Sequence, residues 1–133
     1  MTELLAAIIP AHTAASVLGP TLAYLRAAVP PPERIIVIAD HCTDSTALVA
    51  KQGGAVALRR DEGEAGKGLA LRWLFERQPS LLESTSQCVI LDADSQVHPA
   101  CFAELRRVFS SGDLWTNPPS FVAGVELTSS SPI

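Results

Sequence analysis

The sequence predicts an α/β fold, an open and mainly parallel sheet with flanking helices that is incomplete at its C-terminus. Four short runs rich in Ile, Val, Leu and Ala, at 4–9, 34–39, 55–58 and 88–91, lack polar alternation and suit strands buried on both faces. Stretches of helical spacing at 14–28, 45–52, 67–77 and 99–109 follow them in turn, so strand and helix alternate. Acidic residues recur just after three of the four strands, where open α/β sheets hold ligands.

Local chemistry marks the boundaries. Pro10 closes the first strand, and Pro30-Pro31-Pro32 cannot continue a helix and so delivers the chain to the second. Thr43 or Asp44 can cap the second helix, and Gly53-Gly54 ends it. Pro99 is expected in the first turn of the fourth helix, where its missing N–H is harmless. Right-handed crossovers join such strands into an open parallel sheet. After Ser110 the pattern degrades into Ser111-Gly112-Asp113 and Asn117-Pro118-Pro119, with one further strand at 121–127 and a Ser/Pro tail. That end reads as a truncation, which divides the chain into a folded region over 1–110 and an irregular tail over 111–133.

Composition narrows the function. The 133 residues fit one domain with a real core, and 47% apolar content excludes disorder. A net charge of −4, with no basic cluster beyond Arg59-Arg60 and Arg106-Arg107, argues against nucleic acid as a partner. Cys42, Cys88 and Cys101 are odd in number and form no C-x-x-C pair, so reduced thiols and a cytoplasmic setting are expected. No apolar run approaches the roughly 18 residues that a membrane span requires.

The sharpest feature is Leu91-Asp92-Ala93-Asp94 at the end of the fourth run. In extended backbone the side chains of i and i+2 share a side, so Asp92 and Asp94 would face one ligand together. Two adjacent carboxylates call for a cation, and a hard divalent ion that also binds phosphate oxygens meets the need. An acidic turn that caps the next helix is the alternative. An EF-hand is excluded because Val97 stands where its glycine belongs, and Gln96 stands where an aspartyl phosphatase would carry Thr or Val. Gly66-Lys67-Gly68 precedes the third helix, where flanking glycines, free amides and a lysine suit a phosphate. It is not a Walker A loop, and no G-x-G-x-x-G is present.

Taken together, four segments resemble the family 2 glycosyltransferases of GT-A, Rossmann-like nucleotide-binding fold. They are Ile8-Ile9-Pro10-Ala11-His12, Val37-Ile38-Ala39-Asp40-His41-Cys42-Thr43-Asp44, Arg60-Asp61 with Gly66-Lys67-Gly68, and Leu91-Asp92-Ala93-Asp94 with Pro99. The resemblance covers residues 4–109, makes 1–110 the nucleotide-sugar-binding region and implies the strand order 3-2-1-4. It implies that Pro10, Ala11 and His12 lie against the nucleotide base and that Asp40 hydrogen-bonds it. It further implies that Lys67 sits near the base or diphosphate, that Asp92 supports ribose or metal-bound water, and that Asp94 holds Mg²⁺ or Mn²⁺. The implied donor is a nucleotide sugar, most often a UDP-sugar, and the acceptor a saccharide, lipid or other hydroxyl compound.

Two departures stand out. Thr13 and Ala14 replace the Asn and acidic residue that usually follow in the family, which removes a carboxylate from the pocket rim. The catalytic carboxylate of inverting members has no visible counterpart, because Asp113 and Glu126 lack its context. A non-catalytic nucleotide-binding fragment is therefore the alternative function. A nucleotidyltransferase would need a glycine-rich first loop where Pro10-Ala11-His12 stands. Trp73 and Phe75 are read as packing residues, His41 and His98 as surface or capping histidines and Cys42 as an inert thiol, while Trp115 has no assigned place.

Overall fold

A computed structural model describes residues 4–111, the side chains of 109–111 excepted. The expected strand at 121–127, Trp115, Asp113 and Glu126 lie outside the described residues. Four strands, β1 (Leu4–Ala11), β2 (Arg34–Asp40), β3 (Val56–Arg60) and β4 (Thr85–Ile90), alternate with four helices. The helices are α1 (Ala15–Ala27), α2 (Thr46–Gln52), α3 (Lys67–Arg77) and α4 (Cys101–Ser111), and a 3-10 turn (Pro79–Leu82) leads into β4. All pairings are parallel, and the order is β3-β2-β1-β4.

Central strands must be apolar on both sides, and β1 and β2 are. Leu5, Ala7 and Ile9 of β1 and Ile35 and Val37 of β2 pack with Leu18, Leu22 and Leu25 of α1, Ala50 of α2, and Phe102 and Leu105 of α4. On the opposite face Ile8, Ile36 and Ile38 meet Ala70 and Leu74 of α3, with Leu81 and Leu82 of the 3-10 turn against them. Each fully buried Leu, Ile or Phe contributes roughly 1.5–3 kcal/mol of hydrophobic stabilisation. Strands β3 and β4 flank the described sheet, and their partly exposed residues match that position.

The boundaries differ from the sequence reading in instructive ways. β1 runs through Pro10 to Ala11, paired with β2 as far as Ala39. The Ile8 carbonyl accepts the Leu91 N–H, so Pro10, two residues on, faces the same side beyond the last β4 pair at Ile90. A missing N–H costs nothing there. β4 begins at Thr85, earlier than expected, because the polar Thr85-Ser86-Gln87 is acceptable in a strand with only one described neighbour. Pro99 is not in the first turn of α4; the helix starts at Cys101, and the Pro99 carbonyl accepts the Val29 N–H at 2.9 Å. Phe75, read as a packing residue, is 46% exposed, whereas Trp73 does pack against the α3 face of the sheet.

Candidate functional site

The chain order places β1 between β2 and β4, so the direction of winding switches between β1 and β4. Ligands of open α/β sheets bind outside the carboxyl ends of strands at that point. A cavity of about 300 Å³ lies there, lined by Pro10, Ala11 and His12 after β1, Asp40 at the end of β2, and Ala65, Gly66 and Lys67 at the start of α3. Five residues singled out in the sequence, Pro10, Ala11, His12, Asp40 and Lys67, thus line one hollow. Asp92 adjoins it through an ion pair with the Lys67 ammonium.

Asp40 is the best-held group of the site. It is 3% exposed, and its Oδ1 accepts from the Arg60 guanidinium and lies 3.1 Å from His41 Nδ1. Its Oδ2 accepts the Gly66 N–H at 2.8 Å. Burial alone would push this carboxyl up, but the Gly66 amide, Arg60 and His41 together hold it below its ordinary value. A carboxylate offers about four acceptor positions, so one remains for a ligand. Arg60 also donates to the Glu64 carbonyl at 3.0 Å, and His12 donates from Nδ1 to the Asp40 carbonyl at 2.9 Å. The node therefore joins the ends of β1, β2 and β3 to the 61–66 loop. The sequence motif includes Arg60 without giving it a site role, although Asp40 and Arg60 are direct neighbours in the parallel register. With strand order 3-2-1-4 in hand, an acid ending one strand beside a base ending the next is a readable signal.

Asp92 and Asp94 are arranged differently from the sequence expectation. The strand ends at Ile90, and the chain enters a turn closed by the Ser95 N–H on the Asp92 carbonyl at 3.1 Å. The same-side argument requires extended backbone, which the turn replaces. Asp92 faces Lys67, whereas Asp94 lines a second hollow of about 210 Å³ with Ser16, Thr21, Tyr24, Ser95 and Gln96. The Thr21 hydroxyl, buried in α1, fixes the turn by donating to the Ala93 carbonyl at 2.6 Å.

Among the described residues no three His, Cys, Asp or Glu side chains converge as a complete metal shell. The chemistry of the two side chains is nonetheless of the kind that a divalent ion takes alongside phosphate and water. Asp92 and Asp94 are hard oxygen donors on one turn, and Asp92 already holds a cation, the Lys67 ammonium.

Asp44 has a structural explanation. Its Oδ1 accepts from the Thr46 N–H at 3.0 Å at the start of α2, and its Oδ2 from the Ala15 N–H at 3.1 Å at the start of α1. These contacts, led by that with Thr46, hold its carboxyl below the ordinary value. His98 accepts the Ala100 N–H at 3.0 Å, a capping role just ahead of α4. Cys42 accepts the Thr13 N–H at 3.2 Å beside the hollow, and burial raises the Cys88 thiol and pushes Cys101 up to about 11.

This geometry agrees with an independent finding: the family described as glycosyltransferase like family 2 matches residues 3–126. The chain belongs to that family. No curated protein matches the sequence. Among solved structures, the fold resembles glucosyl-3-phosphoglycerate synthase from Mycobacterium tuberculosis in complex with Mn²⁺, UDP and phosphoglyceric acid. That match has 23% identity and a TM-score of 0.61, and covers 80% of this chain and 39% of that one. The same enzyme with Mg²⁺ and UDP matches at 22% identity and TM-score 0.58, over 80% of this chain and 39% of that one. Mannosyl-3-phosphoglycerate synthase from Rubrobacter xylanophilus matches at 26% identity and TM-score 0.57, over 74% and 33%. The chain thus has the GT-A, Rossmann-like fold and spans about two-fifths of the length of these relatives or less.

Proposed function

We propose that residues 1–110 hold the nucleoside diphosphate of a nucleotide-sugar donor, a UDP-sugar, with Mg²⁺ or Mn²⁺. The reaction served is inverting transfer of a hexosyl or N-acetylhexosaminyl group to a saccharide, lipid or other hydroxyl acceptor. The observation that carries this reading is the hollow at the switch point, lined by Pro10, Ala11, His12, Asp40, Gly66 and Lys67. Family membership and the metal and UDP named for the M. tuberculosis structures support it. A cytoplasmic setting fits the three unpaired thiols.

Each group then has a task. Pro10, Ala11 and His12 form an apolar and polar wall for the base, and the remaining acceptor position of Asp40 takes a base N–H. Lys67, at the N-terminus of α3, places an ammonium and free amides at the diphosphate. Asp92 and Asp94 would hold the divalent ion, which supplies positive charge to the leaving diphosphate when bound. Removing the acceptor proton needs a positioned carboxylate, and no described residue is assigned that role.

Calorimetry with UDP tests the reading. Binding is expected with Mn²⁺ or Mg²⁺ and should be lost with chelator. Asp94→Asn should weaken it by at least the roughly tenfold that loss of a supporting group costs at a metal site. Metal-independent binding would remove the ion from the scheme, and no binding of any nucleoside diphosphate would remove the scheme itself. Donor binding without sugar transfer would leave the non-catalytic binding module as the function.

A further inference from the structure

Resting on the donor-binding reading and deepening it, we propose that His41 is a positioning residue that, as the imidazolium, ties the 61–66 loop onto the donor hollow. The ring is clamped between two acceptors. Its Nδ1 lies 3.1 Å from Asp40 Oδ1 and its Nε2 lies 2.9 Å from the Gly63 carbonyl. Neither partner can donate a proton, and a neutral imidazole carries a single N–H. Only the charged ring satisfies both contacts. When the ring is neutral, the tautomer protonated at Nε2 would set a lone pair against the Asp40 carboxylate. The ring therefore keeps Asp40 and releases Gly63.

Backbone geometry shows that this clamp is built. His41 has φ +53, a left-handed conformation uncommon outside glycine, and Gly63 has φ +66. The His41 N–H bonds the Arg60 carbonyl at 2.8 Å, so the main chain is fixed while the ring reaches the loop. The loop ends in Ala65, Gly66 and Lys67, all of which line the hollow. The exposed Asp61 and Glu62 pairs hold the start of the loop and the Glu64 carbonyl on Arg60 and the Gly66 amide on Asp40 hold its end, so His41 holds its middle.

The charged neighbours are few. Asp40 faces the ring directly, the Arg60 guanidinium shares its Oδ1, and His12 lies across the Asp40 carbonyl. In the loop, Asp61 and Glu62 are paired with Arg59 and Arg77, and Glu64 is exposed. The ring is 25% exposed, so water reaches it. Donor affinity should therefore fall as pH rises between about 5 and 8, the window in which histidines lose their charge.

The test uses the full chain and two readouts. Without nucleotide, NMR follows the His41 ring signals and the backbone amides of 61–66 across that window; the loop amides should move with the midpoint of the His41 ring. With UDP and Mn²⁺, calorimetry should show affinity falling about tenfold or more, the worth of one hydrogen bond from a charged donor. His41→Asn keeps a side chain that tolerates the left-handed backbone, and both pH dependences should vanish in it. Loop amides that ignore the His41 midpoint, or an unchanged pH response in His41→Asn, would overturn the proposal. If that variant does not fold, the wild-type comparison of ring and loop midpoints still decides. Loop amides that follow His41 in a protein that binds no UDP at any pH would sink the donor reading and leave the tether standing.

Discussion

Asp40 and the Asp92–Asp94 turn both follow a strand of the same sheet, yet their surroundings are opposite. Asp40 is buried, with three of its acceptor positions taken by Arg60, His41 and Gly66. Asp92 is half exposed and meets one lysine, and Asp94 borders an open hollow. One carboxylate is built into the pocket wall, and the other two remain open to water. An acidic residue at a strand end is therefore not one kind of signal; what decides its use is whether the chain buries it and fills its acceptor positions.

The largest effect should come from breaking the built side. Asp40→Ala leaves the Arg60 guanidinium, 6% exposed and with its Nε already unpartnered, as an uncompensated buried charge. Removing one partner of such a pair costs about 3–5 kcal/mol. Chemical denaturation should register that loss, and a change under about 1 kcal/mol would mean that water reaches Arg60 freely.

Acid should separate the two regions next. Asp40 is held below its ordinary value of 3.8, so its contribution to stability is complete above that value and is lost as pH falls through the lower folded value. Glu33, beside Arg106 and the Leu5 amide, is lowered from 4.5 and acts in the same direction. These carboxylates should thus cost no melting temperature down to about pH 5, and it should decline below about 4. A decline beginning near neutrality would point to groups other than these carboxylates.

The smallest effect belongs to the exposed pair. Lys67 and Asp92 are 55% and 48% exposed, and such pairs contribute about 0.2–1 kcal/mol. A double-mutant cycle on stability should return a coupling in that range. A larger coupling would show that the pair is part of the framework, like Asp40 and Arg60.

Much of this architecture was legible in advance because burial on both faces demands unbroken apolar runs. Ile35 to Ile38 and Leu5 to Ile9 admit no other strand type, and the order 3-2-1-4 expected from the family resemblance is the one found. The hollow was legible for the same reason, since strand ends and a Gly-Lys-Gly helix start are local features. The turn after Ile90 was not, because it depends on Thr21, 72 residues before Ala93, whose hydroxyl reaches that carbonyl. Arg60 likewise gains its meaning from Asp40, 20 residues earlier. His41 was read as a surface or capping histidine because its second contact, Gly63, sits in a loop without periodic pattern.

Asp44 joins the first turns of α1 and α2 although Ala15 lies 29 residues before it. We expect that contact to close after β1 and β2 have paired, because their pairing brings both helix starts to one end of the sheet. A bond formed after the rate-limiting barrier slows the escape from the native state without hastening its formation. Asp44→Ala should accordingly speed unfolding in stopped-flow measurements and leave the refolding rate nearly unchanged, which makes this exposed aspartate a latch on the lifetime of the donor pocket.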